Sequence, residues 1–297
     1  MNDYALSVLL GIVEGITEFL PVSSTAHLRI TEALVHVNLQ DGYWKMFAIV
    51  IQLGAVLCLP FYFRDRIIRF VRTFPAGERG DRTVVTHPLS LTILAFLTTA
   101  IPAFLLTKVI GKHLESLHVM GWSLLAGGVV MAVVDAWNAK AEARGPDTPS
   151  RIHTWRTEDM SIGQAIWIGA CQVLSAVFPG TSRSMSTIVA GQLAGMSRAA
   201  ALEFSFFLSI PTMAVATAYD LLKSMRGGAG PNPVGVQQLD GHGAVLLLIG
   251  LAVSFVVAYA SVAWLMGFVR KHGFVGFAVY RIAIGLLVLR LAASLSV

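Results

Sequence analysis

The 297-residue chain is poor in charge and nearly devoid of cysteine. Only 13% of its residues are Asp, Glu, Lys or Arg, against about a quarter in soluble domains, while 55% are hydrophobic. Mean hydropathy is +0.69. A large soluble globule is excluded, because several apolar runs reach the roughly 20 residues that cross hydrocarbon. The two cysteines, Cys58 and Cys171, sit in apolar surroundings with no CxxC, which argues against a disulfide framework or a zinc site. The opening MNDYALSVLL lacks a basic region and a small-residue cleavage pattern, so it does not read as a signal peptide and the first hydrophobic stretch is expected to stay. A net charge of +5 does not bring nucleic acid as a partner. The basic residues gather between apolar runs, as at the ends of membrane helices.

What is present is polarity in the wrong solvent. Glu14 to His27 reads EGITEFLPVSSTAH inside an apolar run, and Gln172 to Met185 reads QVLSAVFPGTSRSM. Overlaid without a gap, Gln172 falls on Glu14, Pro179 on Pro21, Thr181 on Ser23 and Ser182 on Ser24. In each, a proline breaks an apolar helix pattern, since it lacks an N–H and forces its predecessor out of the α region. Hydroxyls follow, and a helix pattern resumes, to about Val35 in the first copy and after Ser184 in the second. Helix, break, helix in so short a length predicts a re-entrant hairpin, tolerated at membrane depth only where it is buried in protein or lines a wet cavity. The two stretches are expected to meet in one polar site.

Spans are expected at Tyr43–Phe63, His87–Thr107 and Val119–Trp137, then at 202–222, 244–268 and 274–295. The segments 64–86 and 223–243 read as loops. The chain is thus expected to be an all-α polytopic membrane domain of two inverted repeats, each a hairpin plus three transmembrane helices. The repeats cover about 1–140 and 161–297, joined by a polar linker at about 141–160. Lys112-His113 and Lys271-His272, each shortly before the last span of its half, echo the repeat. Loops at 64–86, 138–161 and 267–273 should share one side; they carry twelve Lys and Arg, against six opposite. The positive-inside rule then puts both termini outside the cytoplasm.

An ionised side chain at mid-bilayer costs roughly 2.5–3.5 kcal/mol, so buried polar residues need a reason. Glu14 and Glu18 share a helix face and, with hydroxyls and water, suit a hard cation such as Mg²⁺ or Ca²⁺, or an acid–base pair; the bland reading is an ion pair that fixes packing. His27 lies one turn from Ser24 and can exchange protons near neutral pH, although a lone histidine is more often a core residue. His36, His87 and His153 read as solvated surface. Arg183, among hydroxyls at a helix start, would cradle a phosphate; the alternative is a charge snorkelling to the interface. Arg281, inside the last span, would serve the same anion or balance a glutamate. Carboxylates, histidine and a phosphate-binding loop together suit phosphoryl transfer.

With these residues in hand, the sequence resembles the undecaprenyl-diphosphate phosphatase family, also called bacitracin-resistance proteins. The resemblance rests on EGITEFLPVSSTAH, on PGTSRSMST at Pro179–Thr187, on FSFFLSIP at Phe204–Pro211 and on Tyr280–Ile282. Ala26 and Met185 stand where the family commonly has glycine. The resemblance implies hydrolysis of undecaprenyl diphosphate to the monophosphate, recycling the lipid carrier for cell-wall sugars and giving bacitracin resistance. It implies a divalent cation, held by Glu14 and Glu18, and catalysis by Glu18, Ser24, His27 and Arg183. Ser23, Thr25, Ser182, Ser184, Thr187 and Arg281 are the expected substrate contacts. The polyprenyl diphosphate lipid and the bilayer are the implied partners, in the bacterial inner (cytoplasmic) membrane with the site opening to the periplasm. A homodimer is compatible with the sequence, which does not fix the oligomeric state, nor whether Ser24 or water is the nucleophile.

Two rivals differ at named residues. A transporter or lipid flippase would share the inverted repeat but has no need of Glu, Ser, His and Arg together. The other membrane phosphatase pattern needs PSGH and a histidine at fixed spacing after the SR pair, and this chain has neither.

Overall fold

A computed structural model describes residues 2–37, 42–106, 116–145, 150–225 and 240–295. Among these residues the regular elements are helices, and the β-type pairing is an isolated bridge between Thr154 and Met196. The helices are α1 (Asp3–Thr17), α2 (Ser24–Val35), α3 (Gly42–Tyr62), α4 (Arg64–Thr73), α5 (Pro88–Leu105), α6 (Leu117–Glu142), α7 (Ile162–Val177), α8 (Arg183–Leu193), α9 (Arg198–Met225), α10 (Gly241–His272) and α11 (Val275–Leu295). Six are long and apolar enough to cross a membrane, namely α3, α5, α6, α9, α10 and α11, in the places the sequence indicates. Large apolar side chains stay exposed on them, such as Leu105 at 76% and Leu248 at 67%, a surface suited to lipid.

Local chemistry explains the starts. The Asn2 side chain accepts from Ala5 N to cap α1. Ser161 and Gln164 form a reciprocal capping box on α7. Pro88, with no N–H to satisfy, opens α5 behind His87, whose Nδ1 accepts from Leu89 N.

Two compact units emerge, each drawing on both halves of the sequence. One holds α1, α2, α3, the second part of α9 from Ser209 and most of α10. There Leu6 and Leu10 of α1 pack with Phe47 and Ile51 of α3. Ser254 Oγ of α10 donates to Ile51 O at 2.7 Å. The other unit holds Leu20–Ser23, Phe63–Leu208 and the chain from Trp264. Its core joins Leu91 and Ala95 of α5, Ile168 of α7 and Phe204 of α9. Helices α6 and α11 lie close because Gly121 and Gly285 face each other; a Cβ on Gly285 would stand 2.9 Å from Gly121 O. Buried Asp135 of α6 binds the Arg198 guanidinium through both oxygens, at 2.7 and 2.9 Å, and accepts from Phe274 N.

The structure corrects several expectations. The stretch 64–86 is not all loop, because α4 occupies its first part. Helix α6 runs past Trp137 to Glu142, and α10 reaches His272, so Lys271-His272 belong to a last helical turn. Lys112-His113, residues 146–149 of the linker and residues 226–239 lie outside the described residues. His87 is fully buried rather than solvated, edge-on to Phe74 with ring centroids 5.2 Å apart, whereas His36 and His153 are exposed. Burial, and then the Arg82 charge, push the His87 imidazole below its usual range. Burial raises the Glu158 carboxyl most of any single cause, but hydrogen bonds from Arg66, the main chain and Arg156, with the Arg66 charge, together hold the group below its usual range.

Candidate active site

The first helix–break–helix element forms as the sequence indicates. Glu14 lies in α1 and Glu18 closes it, its N–H donating to Glu14 O at 2.9 Å. Both carboxylates are buried, at 1% and 7% exposure. The chain then turns through Leu20–Ser23, and α2 opens at Ser24. Ser23 takes φ 74°, a left-handed value rare outside glycine, at a cost of about 1–3 kcal/mol. The turn returns Ser24 to the carboxylate six residues earlier: Ser24 Oγ donates to Glu18 Oε2 at 2.5 Å. Ser24 and His27 are half-buried, Thr25 is exposed, and Ser23 is buried.

The second element uses the same device. Ser182 has φ 69° and caps α8, its Oγ accepting from Met185 N. The positive-φ serines of the two elements are therefore Ser23 and Ser182, one residue off the gapless overlay. The reason is one extra residue between Pro179 and its capping serine. Arg183 is the first residue of α8, at the positive end of the helix dipole. Ser182 and Arg183 are half-buried.

Three expected substrate contacts have other partners. Ser184 is 1% exposed; its Oγ donates to Leu20 O at 3.0 Å and lies 3.0 Å from Ser182 Oγ. Thr187 is equally buried, bonded to Arg183 O, Ser184 O and Ser205 Oγ. Arg281 is fully buried, and its hydrogen bonds go to main-chain oxygens rather than to a glutamate. Its Nη1 donates to Pro21 O at 3.0 Å. Its Nη2 donates to Ser123 O, Gly180 O and Thr181 O at 3.0–3.2 Å. One guanidinium thus holds the main chain of both breaks. Gly127 makes room for it, since a Cβ there would stand 2.5 Å from Nη2 and 2.7 Å from Met185 Cε. Met185 is accommodated by that missing side chain.

Sequence reasoning overlooked Gly127, Ser123 and Ser205. Ser205 sits within the FSF segment, which gave a signal without a role. Among the described residues no three His, Cys, Asp or Glu side chains cluster to hold a metal. The donor set at Glu14, Glu18 and Ser24 is all oxygen. It fits a hard cation that takes one or two carboxylates and draws its other ligands from phosphate and water.

A family profile described as Bacitracin resistance protein BacA matches residues 7–287. The chain belongs to this family. It is 64% identical to an Undecaprenyl-diphosphatase of Koribacter versatilis (strain Ellin345), over 97% of this chain and 98% of that protein. It is 42% identical to an Undecaprenyl-diphosphatase of Sorangium cellulosum (strain So ce56), over 95% and 84% of the two chains. A protein of the same name from Deinococcus radiodurans is 38% identical, over 98% and 96%. As a BacA-family chain with six membrane-length apolar helices, it is a multi-pass membrane protein.

Proposed function

We propose that this chain hydrolyses undecaprenyl diphosphate to undecaprenyl phosphate and inorganic phosphate, recycling the lipid carrier for cell-wall polysaccharide and so conferring bacitracin resistance. The reading is carried by the Ser24 hydroxyl held 2.5 Å from Glu18 Oε2, in a chain so similar to proteins named for this activity. Ser24 Oγ attacks the terminal phosphorus while its proton passes to Glu18. The bond from that phosphorus to the bridging oxygen breaks. Undecaprenyl phosphate departs, taking a proton from His27, one turn along α2 from Ser24. Water then attacks the phosphoserine, its proton returning to His27, while Glu18 reprotonates the departing Ser24 oxygen. Arg183 binds the phosphate oxygens and counters their growing charge, and Ser182 and Thr25 donate their hydroxyls to the phosphate.

Glu14 and Glu18 are the residues that would hold a divalent cation, Mg²⁺ or Ca²⁺, which supplies charge neutralisation to the diphosphate when bound. The two helix–break–helix elements serve as re-entrant hairpins of two inverted repeats, and the two polar groups serve one reaction. The loop charge bias supports a periplasmic opening in the cytoplasmic membrane.

Phosphate release by purified protein in detergent tests the reading, since transport alone breaks no bond. Wild type should release phosphate, and chelator should stop it. A wild type with no release would refute the activity. Ser24→Ala is expected to lose about a thousandfold; near-normal turnover would reassign the nucleophile to water.

A further inference from the structure

Helix α4 has two unlike sides. The inner side carries buried Phe70 and holds Arg66, whose guanidinium binds Glu158 and, at 3.0 Å, Glu203. The outer side presents Arg64, Ile68, Val71 and Arg72, at spacings of four, seven and eight from the first, which form one stripe on a helix. The Arg64 side chain is 74% exposed, and Val71 and Ile68 are 60% and 45% exposed. Phe74, one residue past the helix, is exposed as well. Among the described residues Arg64 has an ion pair only with its neighbour Asp65, at 3.4 Å, and Arg72 has none. A merely solvated face would show charge without the apolar residues between. In sequence α4 follows α3 after a single residue, Phe63, and α3 is of membrane-crossing length, so the stripe begins where a span ends.

We infer that this stripe binds the anionic phospholipid headgroups of the membrane surface. Arg64 and Arg72 take lipid phosphates, for which the guanidinium fork is suited. Ile68, Val71 and Phe74 enter the boundary between headgroups and acyl chains, as the apolar residues of an interfacial helix do. The inner side of α4 is fastened by Arg66 whether or not lipid binds, so the outer side is presented ready-made. The lipid site is separate from the diphosphate chemistry and independent of it: α4 contributes none of the residues assigned to catalysis.

Hydrogen–deuterium exchange of residues 64–73 in the full-length protein tests this. The protein is placed in nanodiscs of phosphatidylcholine alone, or with roughly a third phosphatidylglycerol. Exchange should slow by about tenfold in the anionic discs, from two arginines near a charged surface. The effect should shrink as salt shortens the Debye length. Arg64→Glu with Arg72→Glu should remove the difference while phosphate release in phosphatidylcholine discs stays at its wild-type level, which shows the fold intact. Ile68→Ser with Val71→Ser should weaken protection in both lipids. Equal exchange of wild type in the two discs would overturn the inference, as would a lipid effect that survives the double charge reversal. Protection by inorganic phosphate alone, in phosphatidylcholine discs, would also overturn it by assigning the arginines to a soluble anion.

Discussion

The α1–α2 and α7–α8 elements share a backbone device and differ in cargo. Each breaks near a proline, and each places a serine at φ near 70° just before its second helix. Yet α1 brings two buried carboxylates, where α7 has Gln172 in the buried position of Glu14 under the gapless overlay. The second helices start with Ser24 in one and Arg183 in the other. The turn is thus a frame that tolerates opposite chemistries, and charge is assigned by the residues on either side of it. The same frame carries a serine bonded to a carboxylate in one place and an arginine at a helix start in the other.

The sharpest way to break this comparison is to remove both cargoes. Glu18→Gln and Arg183→Ala should each lower kcat/KM by about a thousandfold. Together they should cost far less than the product of the single losses, if both act on one phosphoryl transfer. Additive losses measured in a double-mutant cycle would mean separate roles. A second, smaller effect addresses the frame itself. Arg281→Lys replaces a planar fork with a point charge that cannot bridge three carbonyls in the two breaks and a fourth on α6. It should lower kcat by about a hundredfold with little change in KM, because misplacement of reacting groups is felt mainly in the transition state. A rise in KM alone would mark Arg281 as a substrate contact after all.

The smallest effect lies away from both elements. Because the folded imidazole of His87 sits below its ordinary value, the folded state resists the proton that the unfolded chain accepts. Stability from this group is therefore present above about pH 6.5 and lost as pH falls through that value toward the folded one. His87→Asn can still accept from Leu89 N as a cap. Its melting temperature should drop by a few degrees less than that of wild type on acidification from about pH 7 to pH 5.5.

The six long helices and both breaks were legible because lipid imposes a simple grammar: length, apolarity, and a proline where the helix must stop. Glu18 and Ser24 were legible for the same reason, as polar letters in an apolar run. The gapless overlay slipped by one because a turn counts backbone conformations rather than prolines, and only the dihedral angles of Ser23 and Ser182 reveal the register. Helix α4 was hidden among arginines, since its inner side is secured by Glu158 and Glu203, far off in sequence. His87 looked like a loop residue because the rings that bury it, Phe70 and Phe74, belong to a neighbouring segment. The partners of Arg281 are carbonyl oxygens, which every residue owns and no letter announces.

Gly127 carries that last lesson to its limit. It offers no charge, no hydroxyl and no nucleophile, and a search for reactive side chains would pass it by. A single methyl group there would collide with the guanidinium that both breaks depend on and with the sulfur-bearing chain of Met185. Among relatives of this chain, the size of the side chain at 185 should therefore drift only as far as emptiness at 127 permits, a constraint written in vacant space.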